Sequence, residues 1–231
     1  MKPWHGVLAA LAVGGYVAWI LLFPVYTSRF RLTVEVETPQ GLKSGSSVIE
    51  TTIRDVKVGL PEMRGLQYGA RGEAVFVDLG RGRHVIALLT FGATGGDQDR
   101  LNGLVYAALA PGRRSDWREV ASLRGSGDLP PDSIPTLVTF ADINDPKTAR
   151  VVQPQEFESV FGPGVRFKRA WIETVPAGIW PLSLVGITGE AVTSGLERKL
   201  PWLPHPRYLS GQFGCSPREQ HCLHGGHFTR H

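Results

Sequence analysis

Residues 6–26 read GVLAALAVGGYVAWILLFPVY and contain no charged side chain. As a helix that rises 1.5 Å per residue, a run of roughly twenty apolar residues crosses a hydrocarbon core of about 30 Å. A helix also satisfies its own backbone hydrogen bonds in lipid. The run therefore predicts a single transmembrane anchor over residues 1–28, followed by a globular part.

A cleaved signal peptide is the alternative interpretation of this run. Such a peptide has an apolar region of about 7–15 residues and a small-residue cleavage site. The run here is longer, and Ala10-Leu11-Ala12 lies too early for cleavage. We therefore expect the anchor to stay attached. Basic residues flank it on both sides, so the positive-inside rule decides its orientation only weakly. We expect the inner (plasma) membrane of a bacterium, with the globular domain in the periplasm.

One face of the predicted helix carries small residues at every fourth position: Gly6, Ala10, Gly14 and Ala18. Such a ridge lets two membrane helices approach closely, and close packing drives their association in lipid. Membrane helices are also rich in glycine and alanine in general. The ridge favours a helix partner, either a second copy of the chain or another envelope protein, with ordinary composition as the alternative.

The composition is that of an ordinary globular protein, with 42% hydrophobic and 20% charged residues and a formal net charge of +4. Lysines and arginines are scattered, whereas nucleic-acid binding needs a basic stripe with interleaved aromatic residues. We therefore expect no nucleic-acid partner. Arg29 and Arg31 follow the apolar run, where they either attract anionic lipid headgroups weakly or simply end the helix.

The globular part, residues 29–209, begins with a strand pattern. Residues 30–38 alternate apolar and polar side chains, which is typical of a half-buried strand and puts Glu35 and Glu37 on a solvated face. A turn follows, and then residues 46–58 offer a second extended run. The two runs together predict a hairpin close to the anchor.

Further elements follow along the chain, separated by many of the 28 glycines and 17 prolines. The spacing of apolar residues predicts one short helix after a second hairpin, and residues 59–72 are expected to form an irregular connection. The predicted elements are a hairpin of 73–79 with 84–91, helices over 101–109 and 155–161, and strands over 136–140 and 165–175. Together they predict a β-rich α+β domain, sandwich-like or with a mixed sheet, with one or two short helices.

The tail, residues 210–231, holds both cysteines and four of the seven histidines. Cys215 and Cys222 would form a small disulfide loop in an oxidising compartment. Thiolate and imidazole are also ligands of zinc and copper, and Cys215, Cys222, His221 and His224 are then the candidates. The spacing matches no established zinc-finger pattern, so a disulfide, a metal site and a free terminus all remain open.

Catalytic signatures are absent from the sequence: it has no His-Glu-x-x-His, no Gly-x-Ser-x-Gly and no Ser-x-x-Lys motif. His84 is the histidine that folding would have to bring to a serine and a carboxylate to make a hydrolase. At the start of a strand it is expected to be a surface or half-buried residue. The chain is therefore interpreted as non-catalytic, with a hydrolase as an alternative.

Short motifs in the second half are Phe140-Ala-Asp142, Asp145-Pro146, Phe161-Gly-Pro-Gly-Val165, Gly195-Leu-Glu197 and Leu200-Pro-Trp-Leu203. In these motifs the chain resembles a family of bacterial single-pass membrane-anchored proteins with no assigned function. The resemblance implies a bacterial membrane setting and no particular chemistry, and it does not include the tail.

These observations predict a membrane-anchored binding, assembly or accessory protein of the bacterial envelope. It would engage a protein partner through its transmembrane helix, its β-rich domain or both. A zinc- or copper-binding protein that uses the tail is one alternative, and a membrane-tethered hydrolase is the other.

Overall fold

The fold is taken from a computed structural model, which describes residues 11, 13–15, 22–57, 60, 62, 64–92, 99–114, 116–178, 182, 187–205 and 222–230. Its strands are β1 Val25–Thr38, β2 Gly41–Val56, β3 Gly65–Glu73, β4 Val75–Gly80, β5 Arg83–Ala87, β6 Ser126–Asp128, β7 Leu137–Phe140, β8 Ala149–Val151, β9 Arg166–Thr174 and β10 Thr229–Arg230.

The strands form two antiparallel sheets. Sheet I has the order β10-β3-β2-β1-β9-β6, and sheet II has the order β4-β5-β7-β8. Strands β1, β2 and β3 form a meander, and β9 returns from far along the chain to pair with β1, as in the pair Leu32–Ile172. The two predicted hairpins, β1–β2 and β4–β5, are therefore present.

The helices are short, as the sequence predicts. Helix α1 spans Leu104–Leu109 after a 3₁₀ turn at Asp99–Gly103, and helix α2 spans Phe157–Phe161 after a 3₁₀ turn at Pro154–Glu156. The turn before α2 carries a capping box, in which the Glu156 carboxylate accepts a hydrogen bond from the Gln153 backbone N–H at 2.9 Å. The prediction of a β-rich α+β domain with short helices is confirmed.

The first core lies between the two sheets. Alternate residues of β1 point into it, and Phe30, Leu32 and Val34 have no exposed surface. Strand β4 approaches β2 so closely that a Cβ atom on Gly45 would collide with the carbonyl oxygen of Phe76. Glycine at this position therefore permits the spacing between the sheets.

The second core covers the other face of sheet II. Ile86, Leu88 and Phe140 of this face pack against apolar residues from the C-terminal part of the chain, which are Leu196, Leu200, Trp202, Leu203, Leu223 and Phe228. Sheet II is thus buried on both faces, and the architecture has three layers. A run such as HVIALLTF, with apolar residues on both sides, is what a strand in that position requires.

The buried carboxylate of Glu73 fixes the C-terminal segment to the sheets. It accepts backbone hydrogen bonds from Gly195 at 3.0 Å and from Leu196 at 2.7 Å, at the start of a 3₁₀ turn that spans Leu196–Arg198. Thr193 bonds the backbone of Val48 in both directions, at 2.8 and 3.0 Å. These contacts hold the second core against the sheet edge.

Two predicted boundaries need correction. Residues 65–72, expected to be part of an irregular connection, belong to β3, because the backbone of this glycine-containing stretch pairs with β2 through seven residues. Strand β1 begins at Val25, so the last four residues of the predicted anchor belong to sheet I. Their backbone groups find partners in β2, from Val25 opposite Arg54 onwards.

The predicted transmembrane helix lies mostly outside the described residues. Within the part of the chain that the structure describes, no helix is long and apolar enough to span a bilayer. Of the predicted packing ridge, Gly14 is described, with no atom within 4 Å of the place where a Cβ would stand. Gly6, Ala10 and Ala18 lie outside the described residues.

Candidate functional site

Exposed apolar side chains gather where β1 begins. Val25 is 50% exposed and stands opposite Arg54 of β2, which in turn stands opposite Gln67 of β3. Leu66 and Tyr68 flank that position, and they are 37% and 48% exposed. Leu60, in the β2–β3 connection, is 66% exposed. Val25 points to the outer face of the sheet, whereas Leu66 and Tyr68 point to the inner face, because residues paired across strands share a face and neighbours along a strand alternate. We call this end of the sheet, with Val25 on one face, Leu66 and Tyr68 on the other and Leu60 in the adjoining connection, the open end of sheet I. Clustered exposed apolar residues mark interaction sites on soluble domains.

The outer face of sheet I carries charged residues in contact with one another. We call it the ion-pair face, and its members are Arg29, Arg31, Glu35, Glu50, Arg169, Glu173 and Glu190. Arg29 is buried and pairs with Glu50, and its guanidinium also donates to the Glu190 backbone carbonyl. Arg31 bridges Glu190 and Glu173, the latter at 2.9 Å, and these bonds to carboxylates raise its pKa. Both arginines are therefore engaged within the protein, and the lipid-headgroup interpretation of Arg29 and Arg31 is not favoured.

Glu35 corrects the expectation of a solvated face. It is buried at 7% exposure and forms a bidentate pair with Arg169, with both N–O distances 3.0 Å. The indole Nε1 of Trp171 donates a further bond at 3.1 Å. The hydrogen bonds from Arg169 hold the pKa of Glu35 below its usual value. Its neighbour Glu37, by contrast, is exposed as predicted.

His84 is a core residue, not the surface or half-buried residue that the sequence suggested. It is 3% exposed, and its ring lies between those of Phe76 and Phe140, with centroid distances of 5.5 and 5.9 Å. Nδ1 donates to the carbonyl of Gly82 at 3.3 Å, and Nε2 has no hydrogen-bond partner within the described chain. Burial lowers its pKa. No described serine is therefore placed for proton transfer to this imidazole.

Residues 222–230 of the predicted tail are part of the folded domain. The carbonyl of His227 accepts a bond from the Leu89 N–H, and that of Phe228 accepts one from the Ala74 N–H, each at 2.8 Å. Strand β10 pairs with the end of β3. A free terminus is thus wrong for this stretch, because isolated apolar residues of the tail fill the second core.

Two of the four predicted metal ligands in the tail, Cys222 and His224, are among the described residues. Cys222 is disulfide-bonded, while Cys215 and His221 lie outside the described residues, so the Cys215–Cys222 pairing stays a prediction. The His224 ring contacts the His227 ring, with centroids 3.7 Å apart and the ring planes tilted by 41°. In the part of the chain that the structure describes, no group of three or more histidine, cysteine or carboxylate side chains is placed to hold a metal.

Acid is expected to destabilise the domain through His227. Burial lowers its pKa from 6.5 to about 4, so the unfolded chain binds more protons between these values. The free energy of unfolding should be at its full value above pH 6.5 and fall by about 3 kcal/mol towards pH 4. Burial also lowers the pKa of His224 and of His84, which acts in the same direction.

Urea unfolding measured between pH 7.5 and pH 4.5 tests this expectation. His227→Gln should flatten the pH dependence, whereas the matched control His205→Gln, at an exposed position, should leave it as in the wild type. Equal pH dependence in all three proteins would contradict the assignment to His227.

Comparison with known proteins gives no relative. The chain matches no family model, no curated protein and no solved structure. The Leu200-Pro-Trp-Leu203 motif, one of those in which the chain resembles a bacterial family, is part of the second core through Leu200 and Trp202. The Trp202 indole also donates a hydrogen bond to the Ile143 carbonyl at 2.9 Å. Function is therefore inferred from the geometry of the described surfaces.

The open end was missed at the sequence level. Leu60, Leu66 and Tyr68 fell in the stretch expected to be irregular, so no face was assigned to them. The alternation Leu66, Tyr68, Ala70 was the available signal for a strand, but two glycines weaken it. The pairing of Glu35 with Arg169 had no local signal, because the two residues are far apart in sequence.

Proposed function

We propose that this chain is a membrane-anchored, non-catalytic binding or assembly protein of the bacterial envelope, with its β-rich domain at the periplasmic face of the inner membrane. It binds a protein partner through the open end of sheet I and through the small-residue ridge of its transmembrane helix. The observation that supports this proposal most is that β1 begins at Val25, directly after the apolar run.

The apolar run of the sequence leads into β1 at Val25 with no intervening linker. A helix in the bilayer that ends a few residues before Val25 holds the open end at the membrane surface. Leu22, three residues before Val25, is also exposed, at 44%. A partner that contacts both the helix and the open end would cover these apolar side chains, which otherwise face water at a cost of about 25 cal/mol per Å².

The ridge of Gly6, Ala10, Gly14 and Ala18 supports the same proposal from the sequence side. Small residues at this spacing permit close contact with a second helix in lipid. A partner that also has one membrane helix and a domain at the membrane surface would contact both the ridge and the open end of sheet I. Another single-pass envelope protein or a second copy of this chain is such a partner.

Site-specific photocrosslinking in cells tests the partner. A photoreactive amino acid in place of Leu60 should give a discrete crosslinked band, and the same probe in place of Arg150, an exposed residue of β8, should not. Gly14→Leu should weaken the band, because a large side chain on the ridge prevents close contact with a second helix. No band from Leu60, or equal bands from both positions, would overturn the partner surface. A chain released from membranes by alkaline carbonate would overturn the anchor.

A second proposal is zinc or copper binding by the tail, and the contact of His224 with His227 favours it. Both imidazoles have lowered pKa values and are therefore neutral at pH 7, which is the form that binds metal. The sulfur of Cys222 becomes a ligand once its disulfide is reduced. Metal content of the purified chain, with and without reductant, should fall in a His224→Asn variant. Equal metal in both proteins would remove this proposal.

A further inference from the structure

Strand β3 lies near an edge of sheet I, beside β2. The short strand β10 covers one end of its outer side, where it pairs with Glu73 and Gly72. Over residues 65–71 β3 pairs with β2, and in the part of the chain that the structure describes no strand pairs with the opposite side of this stretch. We call that side, along Leu66, Tyr68 and Ala70, the β3 edge. It starts at the open end of sheet I and stops where β10 begins.

The bonds at β10 show which backbone groups point to the β3 edge. Along a strand, the N–H and C=O groups of successive residues point alternately to the two neighbouring strands. The Ala74 N–H donates to the carbonyl of Phe228, just before β10. Alternate residues of β3 before Ala74 therefore point to the same side as this bond. They are Gly72, opposite β10, and the three residues of the β3 edge, Ala70, Tyr68 and Leu66.

The register of β2 gives the same direction independently. The Asp55 N–H donates to the carbonyl of Pro24, immediately before β1, and so points away from β3. Its neighbour Arg54 therefore points to β3, where it lies opposite Gln67. Gln67 directs its backbone groups to β2, so the adjacent residues of β3 direct theirs to the β3 edge. Each residue of this edge offers one donor and one acceptor to a further strand.

The β3 edge lacks the features that protect exposed sheet edges. Such edges usually carry proline, lysine or a β-bulge, each of which hinders the addition of a further strand. Residues 65–71 read GLQYGAR and contain no proline or lysine, and their register with β2 has no shift. Leu66 and Tyr68 are 37% and 48% exposed, so this part of β3 is accessible. The edge is therefore suited to a strand from another chain, in which backbone hydrogen bonds supply affinity and alternate side chains supply specificity.

The β3 edge of a second copy of this chain is not the occupant that fits. Strands β1 and β3 run in the same direction, because each is antiparallel to β2. Antiparallel pairing of β3 with β3 of a second copy would make the two β1 strands run in opposite directions. The two open ends would then lie at opposite ends of the joined sheet, whereas the proposed function holds every open end at one membrane surface.

We propose that a different protein, the partner, adds an extended segment to the β3 edge as an antiparallel strand that exchanges backbone hydrogen bonds with Leu66, Tyr68 and Ala70. This inference rests on the proposed function and specifies how the partner binds. The antiparallel direction continues sheet I, in which all described strand pairs are antiparallel. Residues paired across strands share a face, so the partner residues opposite Leu66 and Tyr68 contact these exposed side chains. The segment that fits therefore has apolar side chains at every second position.

Amide hydrogen exchange of the purified full-length chain in detergent, measured by NMR, tests whether the β3 edge is open. The amides of Tyr68 and Ala70 should exchange at least about tenfold faster than those of Gln67 and Gly69, which bond to β2. Similar protection of the two sets would show that the edge is already paired within the chain, and this result would overturn the proposal.

Photocrosslinking in cells tests the added strand itself. Photoreactive residues in place of Leu66 and, in a separate protein, of Tyr68 should attach to one partner segment, which mass spectrometry of the crosslinked peptides maps. In an antiparallel pair, the site reached from Leu66 lies about two residues C-terminal to the site reached from Tyr68. Sites in separate segments, or a site from Leu66 on the N-terminal side, would overturn the proposal even where the Leu60 probe captures the partner. Absence of the Leu60 band, in contrast, removes the proposed function and this proposal with it.

Two variants at Ala70 separate backbone pairing from side-chain contact. Ala70→Pro removes an N–H that points to the β3 edge, a position at which edge strands tolerate proline, and Ala70→Val enlarges the side chain but keeps the N–H. With the probe at Leu60, the crosslinked band should weaken about tenfold in Ala70→Pro and stay as in the wild type in Ala70→Val. Urea unfolding shows whether Ala70→Pro is folded, and the crosslink map decides if it is not. Equal bands from two folded variants would overturn strand addition and leave the partner surface in place.

Discussion

Replacing Phe228 by alanine is expected to lower the free energy of unfolding by about 3–5 kcal/mol. The Phe228 ring has no exposed surface, and it contacts Trp202 edge-to-face at 5.4 Å and Phe140 at 6.2 Å between centroids. Truncation leaves a cavity between sheet II and the C-terminal segment, since the neighbouring backbone is fixed by the bonds to Leu89 and Ala74 and cannot collapse into it.

Urea unfolding of the full-length chain, followed by tryptophan fluorescence, measures this loss. Tyr68→Ala serves as the matched aromatic control, because Tyr68 is 48% exposed and should cost less than 1 kcal/mol. If Phe228→Ala were as stable as Tyr68→Ala, residues 222–230 would not be part of the folded domain.

The second large effect is expected at Glu50. Glu50→Ala should cost about 3 kcal/mol, because the Arg29 side chain is 4% exposed and would keep its charge without a carboxylate partner. Its remaining bond to the Glu190 carbonyl does not neutralise that charge. The double variant Arg29→Leu with Glu50→Leu should recover most of the loss, since it removes both charges together.

Glu173→Ala is the matched control for Glu50 on the same face of sheet I. The side chains of Arg31 and Glu173 are 33% and 45% exposed, so water screens this pair and its loss should cost less than 1 kcal/mol. Denaturant midpoints of the variants give the comparison. Equal costs for Glu50→Ala and Glu173→Ala would show that burial of Arg29 has no energetic consequence.

The sequence predicted those parts of the fold that depend on local patterns. Alternation over 30–38 gave β1, the Gly-Arg-Gly-Arg turn gave the β4–β5 hairpin, and the apolar spacing from Leu101 to Leu109 gave α1. In each case the period of the apolar residues matches the geometry of the element. Strand β3 was missed because Gly65, Gly69 and Gly72 interrupt that period.

The features of the candidate sites depend on contacts between distant residues, and local patterns do not report these. Glu35 has the pattern of a carboxylate on a solvated strand face, and its burial depends on Arg169 and Trp171 of β9, which pairs with β1 from far along the chain. Leu223 and Phe228 are single apolar residues among histidines and glycines, so no local pattern in the tail predicts that it packs. The apolar residues that cover Leu223 and Phe228 belong to sheet II. The spacing of residues within the tail does not predict this contact.

The three-layer arrangement also constrains when this protein is able to fold during synthesis. Strand β1 is made first but needs β9, which follows it by more than a hundred residues, and the outer layer over sheet II closes only when Phe228 is in place. Early segments therefore leave the ribosome or the translocation channel with unpaired strand edges and apolar faces. Nascent chains that stop short of residue 228 should accordingly depend on a holdase chaperone until synthesis is complete.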